Sequence, residues 1–262
     1  MFEIWDLILN NFMGFLIVVF RISGIFTFNP IFGRTNTPMV IRAMMAITLA
    51  AMMFSYMGGT TGYQPQSVVG FISILMGEAF IGLVFGVMAN LILTVLVIAG
   101  GVVDYNVGLM MAQTFDPSTG IQMPVFANMF YYIFIIYFFV VGGHLDYIRL
   151  FWLSFELIPI GFEFTLATGR MLAIIVDYLG TVMELALKLA MPLIAAGMVV
   201  QFCVGIMMKA VPSIQVLAVN FQLKLYVGLF VLMAMALPMS EFLQRLFSIM
   251  RTNLYSLAEG FI

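Results

Sequence analysis

The sequence predicts an all-α, polytopic membrane-associated protein made of long, kinked helical hairpins, and three observations carry that expectation. First, 64% of the 262 residues are hydrophobic and 8% are charged, against roughly 25% charged in an ordinary soluble domain. Lipid or neighbouring chains must therefore cover much of the surface. Second, apolar runs long enough to be membrane helices recur along the chain. Third, the polar–apolar alternation with a period of two that a membrane barrel requires does not occur over useful lengths.

The elements follow in order. Asn10 to Phe32 is apolar apart from Arg21 and a few small polar residues. Asn29-Pro30 and Gly33 should end it, because proline has no N–H for the helical ladder. The first charges of the N-terminus are Glu3 and Asp6, where a signal peptide would carry a basic region, so this first apolar run reads as a retained helix. After the polar link Arg34 to Pro38, a second helix is expected from Met39 to Tyr56, with Arg42 in its first turn. Gly58 to Pro65 reads as a loop. From Ser67 to Val103 the one formal charge is Glu78. As a helix this run is about 55 Å long at 1.5 Å per residue, well beyond a bilayer core of roughly 30 Å. Within it, Gly82 and Gly86 have the G-x-x-x-G spacing, either a close helix contact or a chance pair in a glycine-rich chain.

Asp104 to Pro124 combines turn chemistry at Asp116-Pro117 and Ser118-Thr119-Gly120 with the large apolar residues Leu109, Met110, Met111 and Phe115. A solvated loop rarely carries so many, so this one should pack inside something. Val125 to Val141 is an aromatic-rich helix. His144 to Glu163 is amphipathic and suits an interfacial or re-entrant segment. Gly169 to Met208 is a long helical run expected to break at Pro192, and Pro212 to Pro238 is another, holding Lys224. From Ser240 onward charge is mixed, and the tail should reach water.

Several chemistries are excluded. A net charge of −2 offers no basic face for nucleic acid. A single cysteine, Cys203, allows neither an intrachain disulfide nor a cysteine metal cage. There is no G-x-x-x-x-G-K-[ST] phosphate loop and no G-x-S-x-G elbow, and with His144 the only histidine there is no H-E-x-x-H pair. Neither an enzyme nor a cofactor is expected. Charges within apolar runs are costly and suggest function by default: Arg21, Arg42, Glu78, Asp104, Asp177, Glu184, Lys188 and Lys224. Glu184 and Lys188 stand at i,i+4 with the acid first, the favourable order for a helix ion pair. The 24 methionines are largely hydrophobic filling. Met110-Met111 inside a loop is different, because flexible apolar side chains suit a surface that must re-pack.

An ordered set of motifs carries a resemblance. Arg21-Ile22-Ser23-Gly24, Asn29 to Gly33, Pro38 and Arg42 resemble the opening of the FliR/YscT/SpaR family of type III secretion export-gate proteins. Gly77 to Gly82 is similar to its Gly-Glu motif, and Gly100-Gly101 through Asp116-Pro117 to its central loop. Ala210 to Val216 and Phe221 to Lys224 are similar to its connection between the last two helices. The resemblance implies an export gate shared with FliP-like and FliQ-like subunits, as part of a helical multi-subunit assembly, next to FlhB- and FlhA-like components. Its substrates would be unfolded flagellar subunits, and its place the bacterial inner membrane at the flagellar basal body, the flagellar branch being expected over the injectisome one. It implies a FliP-like part over 1–168, including a pore-plug loop at about 104–124, and a FliQ-like hairpin with a tail over 169–262. The plug maps onto Val107 to Phe115, with Val107, Leu109, Met110, Met111 and Phe115 as its seal and Gly108 and Gly120 as hinges. The competing reading from the residues alone is a proton-coupled transporter of small solutes, with Glu78, Asp104 and Lys188 around a midplane site.

Overall fold

The computed structural model describes residues 2–28, 38–58, 67–109, 124–161, 168–210 and 216–260, with backbone alone for 2–10, 168 and 216–218. All the regular structure among them is helical: α1 Phe2–Thr27, α2 Met39–Tyr56, α3 Val68–Val107, α4 Val125–Val140, α5 Gly143–Leu157, α6 Thr168–Ala210, α7 Val216–Ala234 and α8 Ala236–Gly260. Three are long and apolar enough to cross a membrane: α2, α3 and, within α6, Gly169–Ala210. The all-α, polytopic expectation holds.

Proline and glycine set most of the helix ends. Pro38 and Pro124 are the N-cap residues of α2 and α4, each with extended ψ, because a first-turn proline removes only an N–H the helix does not use. Gly142, at φ 79°, separates α4 from α5. Ile158, held extended before Pro159, ends α5.

Three expectations need correction. α1 ends at Thr27, before Asn29-Pro30 rather than at Phe32. α6 runs unbroken through Pro192, because losing one ladder bond does not interrupt 43 residues of otherwise continuous apolar helix. Pro238 does not close the penultimate helix. The break falls at Met235, with a 64° bend, and Pro238 sits in the first turn of α8, where proline is tolerated.

The chain forms two compact units. One comprises Met1–Leu91, Gly142–Tyr178 and Ile249–Ile262; the other comprises Ile92–Val141 and Leu179–Ser248. This division follows contacts and runs across α3, α6 and α8, so it is a different partition from 1–168 and 169–262.

In the first unit, α1 buries Ile17, Val18, Ile22 and Ile25, while α3 buries Ile81, Phe85 and Met88 and α5 buries Tyr147, Leu150 and Phe151. The α1–α3 contact is backbone on backbone. A Cβ on Gly82 would meet the Arg21 carbonyl oxygen, one on Gly86 would come within 2.7 Å of the Ile25 oxygen, and one on Gly24 would strike Ala79 and Leu83 main chain. The G-x-x-x-G spacing is thus a packing device. Phe15 and Phe54 join α1 to α2 at 5.8 Å between ring centroids.

In the second unit, α4 buries Phe130, Phe134 and Phe138 and α3 buries Ile92, Leu96, Ala99 and Val103. Leu185, Leu189 and Leu193 of α6 and Leu243, Leu246 and Phe247 of α8 are buried there too. Phe138 meets Phe247 edge-on at 5.9 Å. A Cβ on Gly100 would land on the Ala127 backbone, so α3 and α4 approach as closely as α1 and α3 do in the first unit. The tail is amphipathic rather than simply wet: Glu241, Arg245, Arg251 and Glu259 are exposed as expected, over a buried apolar face.

Candidate functional site

The C-terminal end of α3, in the second unit, carries the described part of the segment expected to form a plug. Asp104 is 1% exposed, and its Oδ2 accepts the Phe126 N–H at 3.0 Å. The carboxylate therefore caps the first turn of α4 from another helix, supplying the acceptor that Pro124 at the N-cap cannot. Oδ1 has no hydrogen-bond partner among the described residues. The next turn is seated against glycines. Asn106 Oδ1 lies 2.8 Å from where a Cβ on Gly197 of α6 would stand, and Val107 Cγ2 lies 2.8 Å from one on Gly228 of α7. Gly108 has φ 87°, which ends α3 in a conformation that glycine adopts without strain, and a Cβ there would meet the Phe221 ring at 3.1 Å. Val107 is buried and Leu109 half-buried. Met110, Met111, Phe115 and Gly120 lie outside the described residues.

A second buried polar centre belongs to the first unit. Arg21 of α1 and Glu78 of α3 form an ion pair, 0% and 2% exposed, through Arg21 Nε and Glu78 Oε2. Arg21 Nη1 also donates to the Ser154 carbonyl at 2.8 Å and the Ile158 carbonyl at 3.0 Å. The guanidinium stands 4.3 Å from the centre of the Phe155 ring. Glu78 Oε1 accepts the Gly161 N–H at 3.4 Å. One cation thus pairs with α3 while capping the C-terminal carbonyls of α5, a position that also suits the negative end of that helix. Two buried charges are tolerable here because each is paired and hydrogen-bonded. From sequence, Glu78 stood out as a lone acid and Arg21 as a lone base. Their pairing was hidden by a sequence separation of 57, and the carbonyl contacts by separations of 133 and 137.

The remaining candidates are more exposed. Arg42, half-buried, lines a cleft of about 240 Å³ with Ser23, Phe26, Thr27 and Met39. Glu184 and Lys188 pair on the surface of α6, as their spacing predicts, and are 61% and 54% exposed. Lys224 is half-buried on α7. Among the described residues no cluster of three or more His, Cys, Asp or Glu could hold a metal ion. The buried charges among the described residues tie helix to helix.

Helices longer than a bilayer, backbone-to-backbone glycine contacts and paired buried charges define a polytopic helical membrane protein. The family model for bacterial export proteins, family 1, matches residues 12–250, and the chain belongs to that family, the FliR family. Its relatives include the flagellar biosynthetic protein FliR of Bacillus subtilis, 28% identical, with 86% of each chain covered. The FliR of Aquifex aeolicus is 27% identical over 86% of this chain and 85% of that protein, and the FliR of Pectobacterium carotovorum is 25% identical over 94% and 93%. The protein is a membrane-embedded component of flagellar type III protein export and works in association with other parts of the export apparatus.

Proposed function

We propose that this chain forms, with FliP-like and FliQ-like subunits, the channel in the bacterial inner membrane through which unfolded flagellar subunits pass. FlhB- and FlhA-like components would act beside it. In this reading the segment from Val107 to Phe115 seals the closed channel. Leu109, Met110, Met111 and Phe115 exclude water and ions by dewetting, then yield to a passing chain because methionine re-packs easily. Gly108 and Gly120 are the hinges. Residues 1–168 correspond to a FliP-like part and 169–262 to a FliQ-like hairpin with its tail.

The observation that carries the reading is the family match over 12–250, which includes the whole proposed plug. The seating of Asn106 and Val107 against Gly197 and Gly228 supports it, because a seal needs a rigid root.

Two measurements test it. Tagged chain co-expressed with FliP-like and FliQ-like subunits should purify with both in detergent. Met110→Gly/Met111→Gly should then assemble at the normal level yet conduct ions in planar bilayers where the parent complex is tight. An assembled variant as tight as the parent overturns the plug, and failure to co-purify overturns the channel.

A further inference from the structure

The outer face of α6 changes character at one level. Up to Lys188 it is polar as well as apolar. Glu184 and Lys188 pair there in the open, and Arg245 of α8 lies near enough to act on Glu184. From Leu189 to Met208 there are 20 residues without a formal charge, and Lys209 follows. These residues leave Met191, Val199, Phe202 and Ile206 exposed. At 1.5 Å per residue they span about 30 Å, the thickness of a bilayer's hydrocarbon core. Lysines stand at both ends, the position from which long cationic side chains reach the headgroups.

An independent feature marks the same level. Pro192 lies inside α6, and a proline leaves the carbonyl four residues earlier without its helical donor. That carbonyl belongs to Lys188. In hydrocarbon it would be costly; at a wet interface water satisfies it.

We infer that α6 contacts lipid hydrocarbon only over Leu189–Met208, with its Glu184–Lys188 turn in water. The α6 helix is 43 residues long, so this assigns about half of it to the bilayer. Glu184 and Lys188 then need no buried partner, and α6 needs no large tilt to hide its length. The occupant of the exposed 189–208 face is the acyl region of the bilayer, since a charge-free strip of that length between two lysines, with Gln201 its one strongly polar side chain, matches lipid in thickness and in charge.

The chain contains its own reporter. Cys203, the only cysteine, is exposed and falls inside the assigned strip. A charged reagent does not enter hydrocarbon, so a sulfonated maleimide should label it at least about tenfold more slowly in lipid nanodiscs than in detergent. The experiment uses the full chain assembled with its export partners. In a Cys203→Ser background, the thiol introduced by Met183→Cys, on the exposed face one residue from Glu184, should label at similar rates in both. A pyrene attached to Cys203 in detergent and reconstituted should be quenched by brominated-chain phosphatidylcholine. Labelling of Cys203 in nanodiscs as fast as at position 183 overturns the inference. So does a pyrene at Cys203 that brominated lipid fails to quench, which would mean that another protein chain covers the strip. The quenching arm needs no substitution, so it stands even if Met183→Cys fails to assemble.

Discussion

The two compact units solve the problem of helix contact in the same way but treat buried charge differently. In the first, Gly82 and Gly24 bring α1 and α3 to backbone contact, and the nearby charges Arg21 and Glu78 neutralise each other while gripping α5. In the second, Gly100 brings α3 against α4, but the nearby charge, Asp104, has no cationic partner among its hydrogen bonds. It is held by backbone N–H groups in the first turn of α4. The first arrangement ties three helices in several directions. The second pins the first turn of α4 to the end of α3. A rigid scaffold needs the former; under the proposed plug, the latter fixes the root of the segment that seals the channel.

The most damaging changes should be those that force the close-packed helices apart. Gly82→Val and Gly100→Val each place carbon where backbone atoms already stand, and backbone cannot rotate out of the way as a side chain can. Both should abolish detergent-stable folded protein, read as loss of the monodisperse peak in size-exclusion chromatography. If Gly100→Val were tolerated and Gly82→Val were not, the second unit would be the more plastic of the two. That result would sharpen the contrast rather than remove it.

Next comes the ion pair. Arg21→Ala strands Glu78, 2% exposed, without its cation, and breaking a buried pair this way costs about 3–5 kcal/mol. Arg21→Lys should recover only part of this, because one ammonium cannot serve Glu78 and two carbonyls with the geometry of a guanidinium. Arg21→Met/Glu78→Leu should be less destabilised than either single loss, since it strands no charge. Thermal melting of the purified complex checks the order. A double variant as unstable as Arg21→Ala would shift the weight from the charge pair to the capping of Ser154 and Ile158 on α5.

Much of this fold could be read from the sequence because membrane helices announce themselves by length and apolarity, and Pro38, Pro124 and Gly142 punctuate them in ways local chemistry dictates. The Met39–Tyr56 helix was bounded to the residue. Pro192 misled because proline's local cost is small beside the cohesion of a long apolar helix, which no local rule weighs. The buried centres were half legible. Arg21, Glu78 and Asp104 stand out as charges in apolar runs, but their partners are a residue 57 positions away and backbone groups at helix ends, and neither leaves a periodic mark. Gly197 and Gly228 gave no signal at all, because a glycine chosen for the side chain opposite it looks like any other in a chain with 23 of them. The i,i+4 pair Glu184–Lys188 was fully legible because it needs only one helix.

Asp104 should give the smallest of these effects. Its removal in Asp104→Ala leaves the Phe126 N–H without an acceptor but strands no opposite charge, so the loss is that of a helix N-cap, about 1 kcal/mol. Asp104→Asn keeps an oxygen for Phe126 and drops a charge that has no cationic partner among its hydrogen bonds, so it should melt close to the parent complex. Set against Arg21→Ala, this pair of variants asks whether the second unit depends on charge at all. Asp104→Asn melting as low as Asp104→Ala would show that the negative charge itself holds the first turn of α4, through the positive end of that helix. The contrast between a charge-locked unit and a packing-locked one would then fail at Asp104.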